Sequence, residues 1–286
     1  MLPFVYLNLG PISAYGLMCA IALFAWEPVL SKQAERRGFD KKDFGALIGL
    51  MAVFGWFFAW WIDVVFCRPP GAPSAGFGNG FSSTGAIVGA TCAAFLWSRV
   101  RIGKVEGRFR IARRKEPLSM LAITEVVVST WPVAFAFGRL GCALVHDHPG
   151  LLVTKGSFAS LFAVGYPRSP EDGVDHAFGP LHVVTGGSDA RFDLGLVELV
   201  VLTIFALAFA RMWKRDVPLG TYTILGGLIY GPIRFGLDFL RLPENEARLL
   251  GLTFAQYFSL AIFLLGVVLL AKRRSLRAAA APEAGP

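Results

Sequence analysis

Charged residues are scarce in this chain. They make up 17% of its 286 residues while 55% are hydrophobic, against about 25% charged and 45–50% apolar in an ordinary soluble domain. That surplus excludes a water-soluble enzyme of this length, and with it a disordered chain or a collagen. Cysteine is scarce as well. The four cysteines (Cys19, Cys67, Cys92 and Cys142) are scattered, three of them inside apolar runs, so neither a disulfide framework nor a paired metal spacing is implied. No internal repeat is visible. No charged stretch precedes the first apolar run, which therefore reads as a retained helix and not as a cleaved signal peptide. The net charge of +8 does not point to nucleic acid, because the basic residues sit between apolar runs.

What is present is a series of apolar stretches near the 20 residues that a helix needs to cross a hydrocarbon core. Helices are expected near 11–30, 44–66, 82–98, 119–145, 194–213, 219–238 and 254–271. The fold class is then an all-α polytopic membrane protein with seven transmembrane helices, forming a single transmembrane domain over 1–274. The third helix is short, and Pro132 predicts a kink or tilt in the fourth. Segment 146–193, rich in Gly, Pro, Asp and Ser, is expected to form a small extracytoplasmic cap, and 275–286 a disordered tail.

Basic residues orient the spans. Loop 31–43, loop 99–118, the turn near 211–215 and the tail after 271 hold twenty of the 28 Lys and Arg residues. By the positive-inside rule the N-terminus lies outside and the C-terminus in the cytoplasm. Asp63, Arg139, His146, Asp147, Glu198, Arg234, Asp238 and Arg241 then fall on the outer side, with Glu27 and Glu125 as inner exceptions. Intramembrane charges cost a few kcal/mol each on insertion scales, so four helices carrying them at one level predict a shared polar cavity. Arg139, Cys142 and His146 share one face of the fourth helix, and Tyr230, Arg234, Asp238 and Arg241 one face of the sixth. The plain alternative is that Arg234 and Asp238 neutralise each other at i, i+4 and that Arg241 snorkels. Two arginines in such a cavity suit a phosphate, which guanidinium grips in bidentate fashion.

Small-xxx-small runs at Gly45–Gly49, Gly85–Gly89 and Gly227–Gly231 favour close helix approach. Gly138 and Gly141 flank Arg139 and leave room beside the guanidinium. The densest chemistry is His146-Asp147-His148, where the fourth helix leaves the membrane. It suits proton transfer, a structural helix end, or a metal with Asp147, His176 or His182 added. No third ligand stands at fixed spacing, so no metal and no cofactor is expected.

These residues carry a resemblance. Ala14-Tyr15-Gly16-Leu17-Met18, a Gly-rich entry to the third helix, Gly138-Arg139-Leu140-Gly141, Tyr230-Gly231-Pro232-Ile233-Arg234 and Asp238-Phe239-Leu240-Arg241-Leu242-Pro243 resemble the prolipoprotein diacylglyceryl transferase family, from about residue 10 to 271. The resemblance implies transfer of diacylglyceryl from phosphatidylglycerol to the thiol of a lipobox cysteine in a secreted precursor, with glycerol phosphate released at the outer face of the bacterial cytoplasmic membrane. It places the family's two arginines at Arg139 and Arg234, its acidic residues at Asp147, Glu198 and Asp238, and its tyrosines at Tyr15 and Tyr230. Three motifs depart from the family pattern. Thr84 stands where the family has a histidine. Cys142-Ala143-Leu144-Val145-His146-Asp147 replaces Asn-Phe-x-Asn-x-Glu. Phe192 to Val197 replaces His-Pro-Ser-Gln-Leu-Tyr.

The expected mechanism puts Arg139 and Arg234 on the leaving phosphate and makes His146 the base, with Asp147 orienting it or His148. Tyr15, Thr84, Cys142, His148, Glu198, Tyr230, Asp238 and Arg241 contact substrate or hold the arginines. Two alternatives stay open: a related transferase with a non-lipoprotein acceptor, and a phospholipid-binding or transport protein without catalysis.

Overall fold

The computed structural model describes residues 1–69, 80–105, 108–243 and 246–273, the side chains of 103–109 excepted. The tail expected to be disordered, 275–286, lies outside the described residues. Helices occupy all seven stretches read from the sequence: α1 (Ala14–Arg36), α2 (Lys41–Ile62, continued by a π-helical turn Asp63–Cys67), α3 (Ser83–Arg99), α4 (Met120–Val145), α5 (Leu194–Met212), α6 (Thr221–Leu225) leading through a π turn Gly226–Tyr230 into α7 (Gly231–Leu237), and α8 (Phe254–Ala271). Among the described residues five of these stretches are long and apolar enough to cross a membrane: α1, α2 with its π turn, α4, α5 and α8. Only 17–33% of their most apolar windows is buried inside the protein. The remaining apolar side chains face outward, as lipid-exposed helices require. α4 runs unbroken through Pro132.

The expectation of an all-α protein is corrected by ten short strands: β1 (Phe4–Leu7), β2 (Val100–Val105), β3 (Arg108–Arg113), β4 (Pro149–Leu152), β5 (Val164–Tyr166), β6 (Val174–Phe178), β7 (Leu181–Thr185), β8 (Asp189–Asp193), β9 (Arg248–Leu249) and β10 (Leu252–Thr253). Six of them, β1 and β4 to β8, lie before α1 and between α4 and α5, where short ladders satisfy the backbone without helices.

Two compact units divide the chain. The first contains Met1–Trp26, Trp131–Arg211 and Phe239–Leu242. Its cap is built from the antiparallel sheets β1-β7-β6 and β4-β8-β5. A parallel bridge from Leu2 to Val164 joins them. Another bridge, Gly150 to Arg241, ties the segment after α7 to β4. Gly141 sets α4 against α1, where a Cβ would lie 3.0 Å from Met18 Cβ and 3.3 Å from Tyr15 Cα. Nothing lies within 4 Å of the corresponding point on Gly138.

The second unit contains Glu27–Thr130, Met212–Asp238 and Pro243–Pro286. Gly85 and Gly89 let α3 lie directly on α2, since a Cβ at Gly89 would overlap the Phe54 carbonyl. Trp97 is fully buried against Phe44, its indole N–H donating to Asp43 O at 3.1 Å. Arg114 reaches the Asp43 carboxylate at 2.6 Å. Glu125, also fully buried, accepts from the backbone N–H groups of Tyr222 and Thr223 at 3.0 Å each. It thereby caps the start of α6 from a distant helix, and Arg37 lies 3.8 Å away.

Candidate active site

Eight of the twelve residues singled out from the sequence belong to the first unit. Arg139, one turn before Cys142 on α4, donates through Nε to Glu198 Oε2 at 2.7 Å, and both side chains are at least 95% buried. Its Nη1 lies 3.5 Å from Cys142 Sγ. Glu198 reaches inward one turn into α5, where Gly195 permits contact with α4 at Cys142 and Ala143. From α1, Tyr15 lies within electrostatic reach of Arg139 and is hydrogen-bonded to Cys19 one turn on. Cys19 was not singled out, although its i, i+4 spacing from Tyr15 was there to be read.

Beyond α4 the chain turns sharply. His146 has φ 51°, a left-handed conformation that ends the helix where glycine or asparagine is usual. Its ring is fixed on three sides. Nδ1 lies 2.5 Å from Asp193 Oδ2 and Nε2 2.9 Å from the carbonyl of Val5 on β1. The ring stacks on Phe4 at 3.7 Å between centroids. A base must offer a nitrogen to its substrate, and both nitrogens of His146 face protein acceptors. Asp193 is the residue that sequence reasoning missed. It accepts from Leu196 N–H at 2.9 Å as N-cap of α5, and from the Tyr166 hydroxyl at 2.9 Å. Its place just before an apolar run was the readable signal. Burial and the neighbouring Asp193 carboxylate push the Tyr166 hydroxyl above the ordinary tyrosine range.

Asp147 and His148 take the open positions. They are hydrogen-bonded to each other, and Asp147 is also bonded to Cys142. Burial raises the Asp147 carboxyl, but the bond and charge of His148, with Arg139, outweigh this and hold it below the usual carboxylate range. Burial lowers His148 from the ordinary histidine value, opposed by its bond to Asp147 and reinforced by the charges of Arg241 and Arg139. Beside them, Phe4, Tyr6, Leu7, Leu144, Val145 and His146 line a mainly apolar cavity of about 270 Å³. His182 and His176 lie on β7 and β6 instead, with His182 bonded to Asp175 at 2.9 Å.

The other four residues belong to the second unit. Arg234, on α7, pairs with Asp238, which is fully buried and also accepts from the Thr253 hydroxyl, the N-cap of α8. This is the i, i+4 pairing expected from the sequence, with an added tie to the next helix. Thr84 and Tyr230 are buried in α3 and in the π turn before α7.

Helices with outward apolar faces and buried arginine–carboxylate pairs define a membrane protein that keeps guanidinium groups inside its apolar part. A family model described as prolipoprotein diacylglyceryl transferase matches residues 4–272, and the chain belongs to that family. Similar proteins named phosphatidylglycerol–prolipoprotein diacylglyceryl transferase occur in Stenotrophomonas maltophilia strain R551-3, 27% identical and covering 94% of this chain and 91% of the relative. Another is found in Janthinobacterium sp. strain Marseille, 26% identical with 93% of each chain covered. A third, in Xanthomonas euvesicatoria pv. vesicatoria strain 85-10, is 26% identical over 93% of this chain and 90% of the relative.

Proposed function

We propose that this chain transfers the diacylglyceryl group of phosphatidylglycerol to the thiol of a prolipoprotein cysteine, releasing glycerol phosphate. The observation that carries this reading is the buried Arg139 guanidinium, oriented by Glu198 and flanked by Cys142 and the Asp147–His148 pair. Displacement at the glyceryl carbon builds negative charge on the departing phosphate. A guanidinium already held by a carboxylate meets that charge with little reorganisation. Arg234, held by Asp238, is a second guanidinium that the transfer requires, and Tyr15, Thr84, Tyr230 and Arg241 are assigned to glycerol, ester or headgroup oxygens. Asp147 and His148 stand on the acceptor side and promote loss of the proton from the acceptor thiol. His146, its ring occupied, is a positioning residue that sets the turn presenting them.

Seven crossings with the N-terminus outside are supported by parity. β1 precedes α1 and pairs with β7, which follows α4, so the helices between them cross an even number of times and α3 completes the set with α1, α2 and α4. The Gly150–Arg241 bridge asks the same of α5 and the α6–α7 stretch. The basic loops support a cap and a site at the outer face of the cytoplasmic membrane.

Membranes supplied with radiolabelled phosphatidylglycerol and a lipobox precursor test the reading. Label is expected in the precursor band, with Arg139→Ala and Arg234→Ala each reducing it by about 10²–10³-fold. Label confined to lipid products, or full activity in either variant, overturns it.

A further inference from the structure

Cys142, Asp147 and His148 form a group that their spacing along the chain does not announce. Cys142 is buried on the last turn of α4, Asp147 is exposed, and His148 is intermediate. A sulfur, a carboxylate oxygen and a ring nitrogen, one from each, lie within 4.8 Å of one another. A tetrahedral zinc ion with bonds of about 2.0–2.3 Å holds its ligand atoms roughly 3.3–3.8 Å apart, so modest side-chain rotations bring all three onto one ion. The turn that assembles them is not free to relax. His146, between Cys142 and Asp147, is pinned by Asp193 and Val5 at its two ring nitrogens.

We propose that Cys142, Asp147 and His148 hold a zinc ion whose fourth position opens to the mouth of the site and takes the acceptor thiol. The donor set decides the metal. Thiolate and imidazole favour zinc over magnesium or calcium, which prefer oxygen alone. Three protein ligands with one open position is the arrangement of a reactive zinc and not of a closed structural one. The Cys142 thiolate and the Asp147 carboxylate offset the ion, while Glu198, 2.7 Å from Arg139, already neutralises the nearest guanidinium.

The role of the open position rests on the transferase reading; the site itself does not. An acceptor thiol bound there gives its proton to water and becomes a zinc-bound thiolate. Its sulfur pair forms the C–S bond to the glyceryl carbon. The C–O bond to phosphate breaks with its electrons on the phosphate oxygen, and glycerol phosphate leaves.

Full-length protein in detergent, stripped by a chelator, is titrated with Co²⁺ as a coloured substitute. One ion per chain and a thiolate-to-cobalt charge-transfer band are expected. Cys142→Ser removes the band, His148→Ala weakens binding by at least about tenfold, and Cys92→Ser changes neither. A short peptide with a single thiol shifts the visible cobalt spectrum. Should Cys142→Ser fail to fold, the His148→Ala titration decides. No stoichiometric cobalt, a band that survives Cys142→Ser, or unchanged affinity in His148→Ala overturns the site. Lipid transfer separates the two readings. Undiminished transfer by stripped protein removes the metal's role and leaves the transferase standing. Tight binding with no transfer in any metal state leaves the site and overturns the transferase.

Discussion

His146 shows how residue-level reading from sequence succeeds and where it stops. The sequence marks the His-Asp-His run as the densest chemistry, but ring occupancy depends on Val5 and Asp193, far away along the chain. The reverse holds for Arg234 and Asp238, whose pairing lies within one helical turn and was readable. Arg139 and Glu198 stand between these cases: Glu198 reads from the sequence as holding an arginine, and the fold shows that the arginine is Arg139. His146→Ala leaves the Asp193 carboxylate buried without its ring partner, a loss of about 2–3 kcal/mol. A lower thermal midpoint in detergent is expected, and an unchanged midpoint refutes the pinning role. Glu125→Ala strands two buried N–H groups at the start of α6 and costs on the order of 3 kcal/mol, read in the same melt.

At the scale of elements, the helices were legible because each is a long apolar run, and α8 begins and ends where its run does. α1 extends past 30 to Arg36 because Ser31, Gln33 and Ala34 are buried despite the mixed character of that stretch. The strands were not legible. They span two to six residues, and the partner of β1 is β7, four helices later. Of the small-xxx-small runs, Gly85–Gly89 is used for contact with α2 and Gly45–Gly49 faces open space. Gly89→Leu therefore drives α2 and α3 apart and lowers folded yield sharply, while Gly45→Leu leaves it near wild type; detergent-solubilised monodisperse protein measures both. In the cap, a hydrogen bond from Ser188 and the backbone of Arg168 hold Asp172 below the usual carboxylate range. The bond from Arg168, with help from Arg191, holds Asp189 there against desolvation. Carboxyls depressed in the folded state stabilise it above their unfolded value near pH 4 and lose that contribution as pH falls through the lower folded value. Amide exchange across 166–172 and 188–190 should rise below about pH 4 and stay flat from pH 5 to 8.

For the whole molecule, the net charge of +8 resolves into two populations. Most basic residues stand in four loops and tails, whereas Arg139 and Arg234 are buried beside carboxylates. Single cysteines placed at Val174 or Phe178, both exposed on β6, are expected to react with a membrane-impermeant maleimide in intact cells, in a background with the native cysteines replaced. A cysteine at Ile111, exposed on β3, should react only after the membrane is opened. The opposite pattern inverts the proposed orientation.

The pairing of β1 with β7 also fixes an order in time. β1 is synthesised before α1, and Leu181–Val184, which it pairs with, are made only after α4. While α1 to α4 are being made β1 waits without its neighbour, so the cap closes late and over a long loop, the slow kind of contact to form. Val5, whose carbonyl fixes His146, arrives with that strand. The site's mouth is therefore completed by the earliest-made strand and among the last of its contacts to form.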